Sequence, residues 1–276
     1  MQSASLKTVL PLTLAFALGT LLAPLRAEAF FGFGKKDAEG ATSPPSGLQS
    51  PRLDDGRDAS AEDPKLEARK TYNHGVELFR AAQMEANRNQ PSLQKRLLKE
   101  SLAEFKKAQR LDPAFVEPIS NEGYAYLSME RYDQAIGAFQ RALAIDDKHL
   151  NTLNGLATAY GLGGQAERAV ATFDRLTTLS PGEPQYHFNK GSLLQKFGKA
   201  DEAEAAYRQA LRLDGKHQAS LFNLASLYEN RGENQKAVDF YQQAKAADIG
   251  SPVGLEALRR LERLRQATQT TTGGTR

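Results

Sequence analysis

The sequence predicts an all-α chain of repeated helix pairs, and three observations predict it. Residues recur at a 34-position step: Ser101, Ala135, Ala169, Ala203 and Ala237 form one column, and Phe105, Phe139, Phe173, Tyr207 and Tyr241 another. The small residues Gly123, Ala157, Gly191 and Ala225 keep the same step, as do Tyr126, Tyr160, Leu194 and Tyr228. Within a period the apolar positions follow helical i, i+3, i+4 spacing, as in Ala135, Ile136, Phe139, Ala142 and Leu143. Turn residues separate the stripes, as in Gly161-Leu162-Gly163-Gly164, Phe197-Gly198-Lys199 and Asn230-Arg231-Gly232. No segment has β-hairpin character.

Residues 1–29 read as an export signal. Lys7 supplies the basic region, Val9 to Leu25 the apolar region, and Ala27-Glu28-Ala29 the small residues of a cleavage site before Phe30. The alternative is an uncleaved membrane anchor. Pro11 and Pro24 interrupt the apolar run, and Arg26, Lys35 and Lys36 follow it. Residues 30–66 form a linker too polar and Pro/Gly-rich to bury a core, so disorder is expected there.

The first repeat, residues 67–114, carries an insertion. Gly75 lies 48 positions before Gly123, 14 more than the regular step. The extra residues fall around 81–100, with a helix start at Gln90-Pro91-Ser92, so two elongated helices joined near Asn89 are expected. Lys95, Arg96 and Lys99 flank the stripe Leu93, Leu97, Leu98, Leu102 and Phe105, making this tip a second candidate surface. Residues 115–251 hold four regular repeats. Residues 252–266 read as a capping helix with Leu255, Leu258, Leu261 and Leu264 toward the last repeat, and 267–276 as a disordered tail.

The period, the small and aromatic columns and the closing segments Leu111-Asp112-Pro113, Leu179-Ser180-Pro181 and Leu213-Asp214-Gly215 resemble the tetratricopeptide repeat. The second and fifth repeats depart from that closing pattern, with Asp147 and Ile249 in its place. The resemblance covers about residues 68–251. It implies a right-handed superhelical solenoid of five tetratricopeptide-like helix pairs plus a C-terminal capping helix. The first helices would line a concave groove, and the chain would be a non-enzymatic protein-interaction scaffold.

Composition agrees with a soluble protein, at 40% hydrophobic and 25% charged residues. A formal net charge of +3 is too weak to mark a nucleic-acid surface. There is no cysteine, which excludes a disulfide, a thiolate metal site, a cysteine nucleophile and an acylated lipobox. The histidines His74, His149, His187 and His217 lack metal-site spacing, and no HExxH or GxSxG motif occurs. Neither a catalytic residue nor a cofactor or metal site is expected.

The candidate binding residues are polar. Asn73, Asn121, Asn189 and Asn223 each precede the small residue of a first helix by two positions, while the third repeat has Gly155 there with Asn154 beside it. On a concave wall this column would form a ladder of amides able to pair with an extended peptide backbone. Tyr72, Tyr124, Phe188 and Phe222 would add specificity, and Arg69, Glu117, Lys196 and Glu229 mixed charge. The other reading has the asparagines bridging adjacent helices. Gln140 and Arg208 read as outer-face residues of the second helices. The expected partner is a protein or peptide, not a nucleic acid, with membrane contact only if the N-terminal segment is uncleaved. The expected location is outside the cytoplasm, in the periplasm or anchored to a membrane. The alternative role is an accessory subunit of an envelope biosynthesis or secretion complex, docking through the elongated first repeat.

Overall fold

The structure, a computed structural model, describes residues 63–273. The expected export signal and linker residues 30–62 lie outside the described residues. The described residues form helices only. They are α1 (Pro64–Asn87) and α2 (Pro91–Leu111), α3 (Val116–Ser128) and α4 (Tyr132–Ile145), and α5 (Leu150–Leu162) and α6 (Ala166–Leu179). Then follow α7 (Pro184–Lys196) and α8 (Ala200–Leu213), α9 (Gln218–Asn230) and α10 (Asn234–Ala247), and a lone α11 (Pro252–Gly273). The regular first helices are 13 residues long and the second helices 14, whereas α1 and α2 have 24 and 21. Helix α1 begins within the stretch read as linker, because Asp63 accepts the Lys65 amide at 3.0 Å and Pro64 sits in the first turn.

Two sequence columns turn out to be one packing device. A methyl group on Gly123 would sit 2.6 Å from the Phe139 ring, and one on Gly191 2.7 Å from the Tyr207 ring. At Gly75 the approaching ring is Phe105, at 2.8 Å. In the first, second and fourth repeats the glycine of the first helix therefore admits the aromatic ring of the second. Phe105, Phe139, Phe173, Tyr207 and Tyr241 are at most 1% exposed. In the third repeat Gly155 replaces the column asparagine because Phe139 reaches across the junction. A Cβ there would lie 2.4 Å from its ring.

The turns explain why the second and fifth repeats depart from the closing pattern without consequence. The Asp112, Asp146, Asp214 and Asp248 carboxylates each accept a backbone N–H two residues on, at 2.9–3.1 Å. This side-chain bond fixes the bend whether Pro113, Asp147, Gly215 or Ile249 follows. Within the repeats, Gly164, Gly198 and Gly232 adopt φ of 79°, 74° and 75° between the paired helices, and Glu130 holds the equivalent place at φ 58°.

Helix α11 packs on both helices of the fifth repeat, where the first helix of a sixth would lie. Gly254, Ala257 and Leu261 are the buried residues, the last two at 0% and 2% exposure. Leu255, expected on the buried stripe, is instead 46% exposed. The helix runs to Gly273, beyond the expected limit at residue 266.

Candidate peptide-binding groove

The helices α1, α3, α5, α7 and α9 pack side by side in chain order, and α11 continues the row. The second helices pack mainly on their own and the following first helices. The first helices thus make one continuous wall, the place expected for a groove.

The structure assigns most of the asparagine amides to contacts across repeat junctions. Asn121 Nδ2 donates to Tyr72 Oη at 3.0 Å. Asn189 Nδ2 donates to Asn154 Oδ1 at 2.8 Å, joining the fourth repeat to the third. Asn189 Oδ1 accepts from Gln185 Nε2 at 2.8 Å, and Asn189 is 1% exposed. Asn223 Nδ2 donates to Tyr207 Oη at 3.1 Å and Ser192 Oγ at 3.4 Å. Asn73 is exposed. An amide used in this way has less capacity left for a ligand, so Asn121, Asn154, Asn189 and Asn223 shape the wall more than they present it.

The aromatic candidates have packing partners too. Tyr124 is 7% exposed, lies edge-on to Phe139 with centroids 5.1 Å apart, and donates its hydroxyl to the Asn151 carbonyl at 2.6 Å. Phe188 packs on Tyr207 and His217, at 5.9 and 5.3 Å, and Phe222 packs edge-on to Tyr241 at 5.3 Å. Of the charged candidates, Glu229 accepts from Tyr241 and Arg260, and Lys196 donates to the Gly161 carbonyl at 3.1 Å.

Several partners were not legible from spacing alone. His149 and His217 are N-caps: their Nδ1 atoms accept the Thr152 and Ser220 amides at 3.3 Å. His217 Nε2 also approaches Gln185 Oε1 at 3.4 Å, so a polar chain runs from His217 through Gln185 and Asn189 to Asn154. Burial pushes the His217 pKa down, which favours the neutral ring that a cap acceptor requires. Buried Glu122 meets Arg141 at 2.6 Å and Lys106 at 3.6 Å.

The column Tyr126, Tyr160 and Tyr228 reaches back to the preceding second helix. Lys106 and Gln140 donate to the Tyr126 and Tyr160 hydroxyls at 3.1 Å, and Arg208 to Tyr228 at 2.6 Å. Gln140 and Arg208 are therefore junction residues and not the inert outer-face positions expected from sequence. Glu204 accepts from Tyr228 and Arg231 at 2.6 and 2.5 Å and from Arg208 at 2.9 Å. Burial pushes its pKa up, but these three donors outweigh that and hold it down at about 2. Among the described residues, no group of three His, Asp or Glu side chains is placed to hold a metal ion.

Two tetratricopeptide repeat family models match the chain, at residues 126–196 and 188–252. Tetratricopeptide repeats thus span residues 126–252, and a general protein-binding role is the one they support. It is similar in fold to the thermophilic repeat protein TTC0263 of Thermus thermophilus, at 19% identity and a TM-score of 0.56 over 72% of this chain and 99% of that one. MamA from residue 41 onward, of Desulfovibrio magneticus RS-1, gives 14% identity and 0.54 over 69% and 98%. Another MamA crystal structure gives 18% and 0.50 over 58% and 93%. A comparison with curated proteins found no match.

Proposed function

We propose that this protein is an exported, non-enzymatic adaptor of the cell envelope that holds a segment of a partner protein against the wall of first helices. The observation that carries this reading is the wall itself: five first helices in unbroken lateral contact, extended by α11. Such a surface is long, stiffened by cross-junction bonds such as Asn189–Asn154, and suited to an extended ligand. Exposed Asn73, Glu117 and Asn151 stand on these helices and supply polar contacts. The envelope location rests on Lys7, the apolar run Val9 to Leu25 and Ala27-Glu28-Ala29. No described helix is long and apolar enough to cross a membrane.

A second reading, an accessory subunit of a biosynthesis or secretion complex, is favoured by one observation: α1 and α2 extend well beyond the regular helix lengths. Purification from the envelope fraction tests both, with N-terminal sequencing and mass spectrometry of the bound protein. The expected result is a start near Phe30 and a partner belonging to envelope assembly. A start at Met1 in the membrane fraction overturns the cleaved-signal reading. A partner that is a polymer-making enzyme favours the accessory subunit.

A further inference from the structure

The insertion in the first repeat builds a cleft of ≈ 300 Å³ between α2 and the α3–α4 turn. A regular second helix would begin at Leu98, which is 34 positions before Tyr132, but α2 begins at Pro91. The added turns overhang the neighbouring repeat. Leu98 and Met129 supply the apolar lining, and Lys95, Lys99, Glu130 and Arg131 are the exposed charges around it. None of these three cations makes an ion pair among the described residues, whereas nearby Arg96 is paired with Glu100 at 3.6 Å. The rim thus carries three cations against one carboxylate.

A second observation falls on the same cleft. In the turn column Glu130, Gly164, Gly198 and Gly232, all four residues have positive φ, and only the cleft-lining one is not glycine. A side chain in the left-handed region is strained, and glycine is the relaxed choice in the other three repeats. Asn89, in the longer turn of the first pair, also has positive φ at 56°, but asparagine tolerates that region; a glutamate held there beside unpaired cations is the pattern of a place where a side chain is needed for contact.

We propose that this cleft docks an acidic segment of a partner protein. One apolar side chain of that segment enters between Leu98 and Met129, its carboxylates meet Lys95, Lys99 and Arg131, and Glu130 accepts a backbone N–H. Charge complementarity selects this occupant over an apolar or basic one, and salt weakens its binding. The cleft is separate from the wall of first helices, so its test stands apart from the groove reading.

The test is fluorescence anisotropy on the full chain with two labelled decapeptides. One alternates Asp and Glu with Leu and Phe; the other replaces the acids with Asn and Gln. The acidic peptide is expected to bind at least tenfold more tightly, with the difference shrinking as salt rises. Lys95→Glu with Lys99→Glu should weaken it at least tenfold while the thermal melt stays unchanged, and Asn73→Ala should leave it unaffected. Glu130→Gly should raise the melting temperature yet weaken binding severalfold. Equal binding of the two peptides, no binding of either, or indifference to the charge reversal overturns the proposal. Binding seen only after removal of residues 30–62 would also overturn it, since the chain's own acidic stretch around Asp54, Asp55 and Asp58 would then be the occupant.

Discussion

Phe139→Ala is expected to lower the melting temperature by about 10 °C and to destabilise two repeats at once. Phe139 is fully buried. Its ring lies in the space left by Gly123 on α3 and Gly155 on α5, edge-on to Tyr124. Truncating such a ring removes its burial and leaves a cavity, typically a loss of about 3–5 kcal/mol. For a folded region of this size each kcal/mol moves the melting point by about 2–4 °C. Because the ring spans the junction of the second and third repeats, hydrogen exchange should accelerate in α3, α4 and α5 together. Gly155→Ala should be destabilising for the complementary reason, by overfilling the same space. A melt within about 2 °C of the parent for Phe139→Ala would remove the ring from its assigned place.

Removal of residues 252–276 is expected to loosen the fifth repeat and reduce solubility. The deletion takes away buried Ala257 and Leu261 and the Arg260 guanidinium, 3.2 Å from Glu229. Glu229 also accepts the Tyr241 hydroxyl at 2.6 Å, so the loss of Arg260 weakens a polar network that ties the last turn of α9 to the middle of α10. Stacked repeats are stabilised by their neighbours, and an uncovered end frays first. The point variant Gly254→Val should act in the same direction. A side chain at Gly254 would collide with the Asp248 carbonyl and lift α11 from its seat. Leu255→Gln is the control, because Leu255 is half exposed and carries no such contact. Circular-dichroism melts and concentration-dependent light scattering check this. Equal behaviour of the deletion and the parent on both counts would mean that α11 does not cap the stack.

The repeat architecture was legible because the periodic columns are the packing device itself. Gly123 and Phe139 are conspicuous in the sequence for the same reason that they touch in the fold. The elongated first pair was visible from the displaced Gly75. The uses of the polar residues were much harder to read. An asparagine column is compatible with a ligand or with a neighbouring helix. The choice depends on partners such as Asn154 and Asn189, 35 positions apart, whose faces meet only after stacking. The histidine caps were not legible either: His149 and His217 stand two periods apart, but that spacing does not say that a ring nitrogen accepts a backbone amide. Leu255 misled because a stripe of leucines marks an apolar face without saying which neighbour is present to cover it. Glu130 stands where Gly164, Gly198 and Gly232 stand in later repeats, but the place was not singled out, because its meaning required the φ of that turn and the overhang of α2.

The most direct test of the central claim, that first helices form the recognition surface, is site-specific photo-crosslinking in cells. Benzoylphenylalanine replaces exposed Asn73, Glu117 and Asn151 on the first helices, or exposed Ala144, Ala171 and Gln242 on the second. The adaptor reading predicts a common partner band from Asn73, Glu117 and Asn151 and none from the second-helix positions. A partner band from Ala144, Ala171 and Gln242, with none from the first helices, would contradict it.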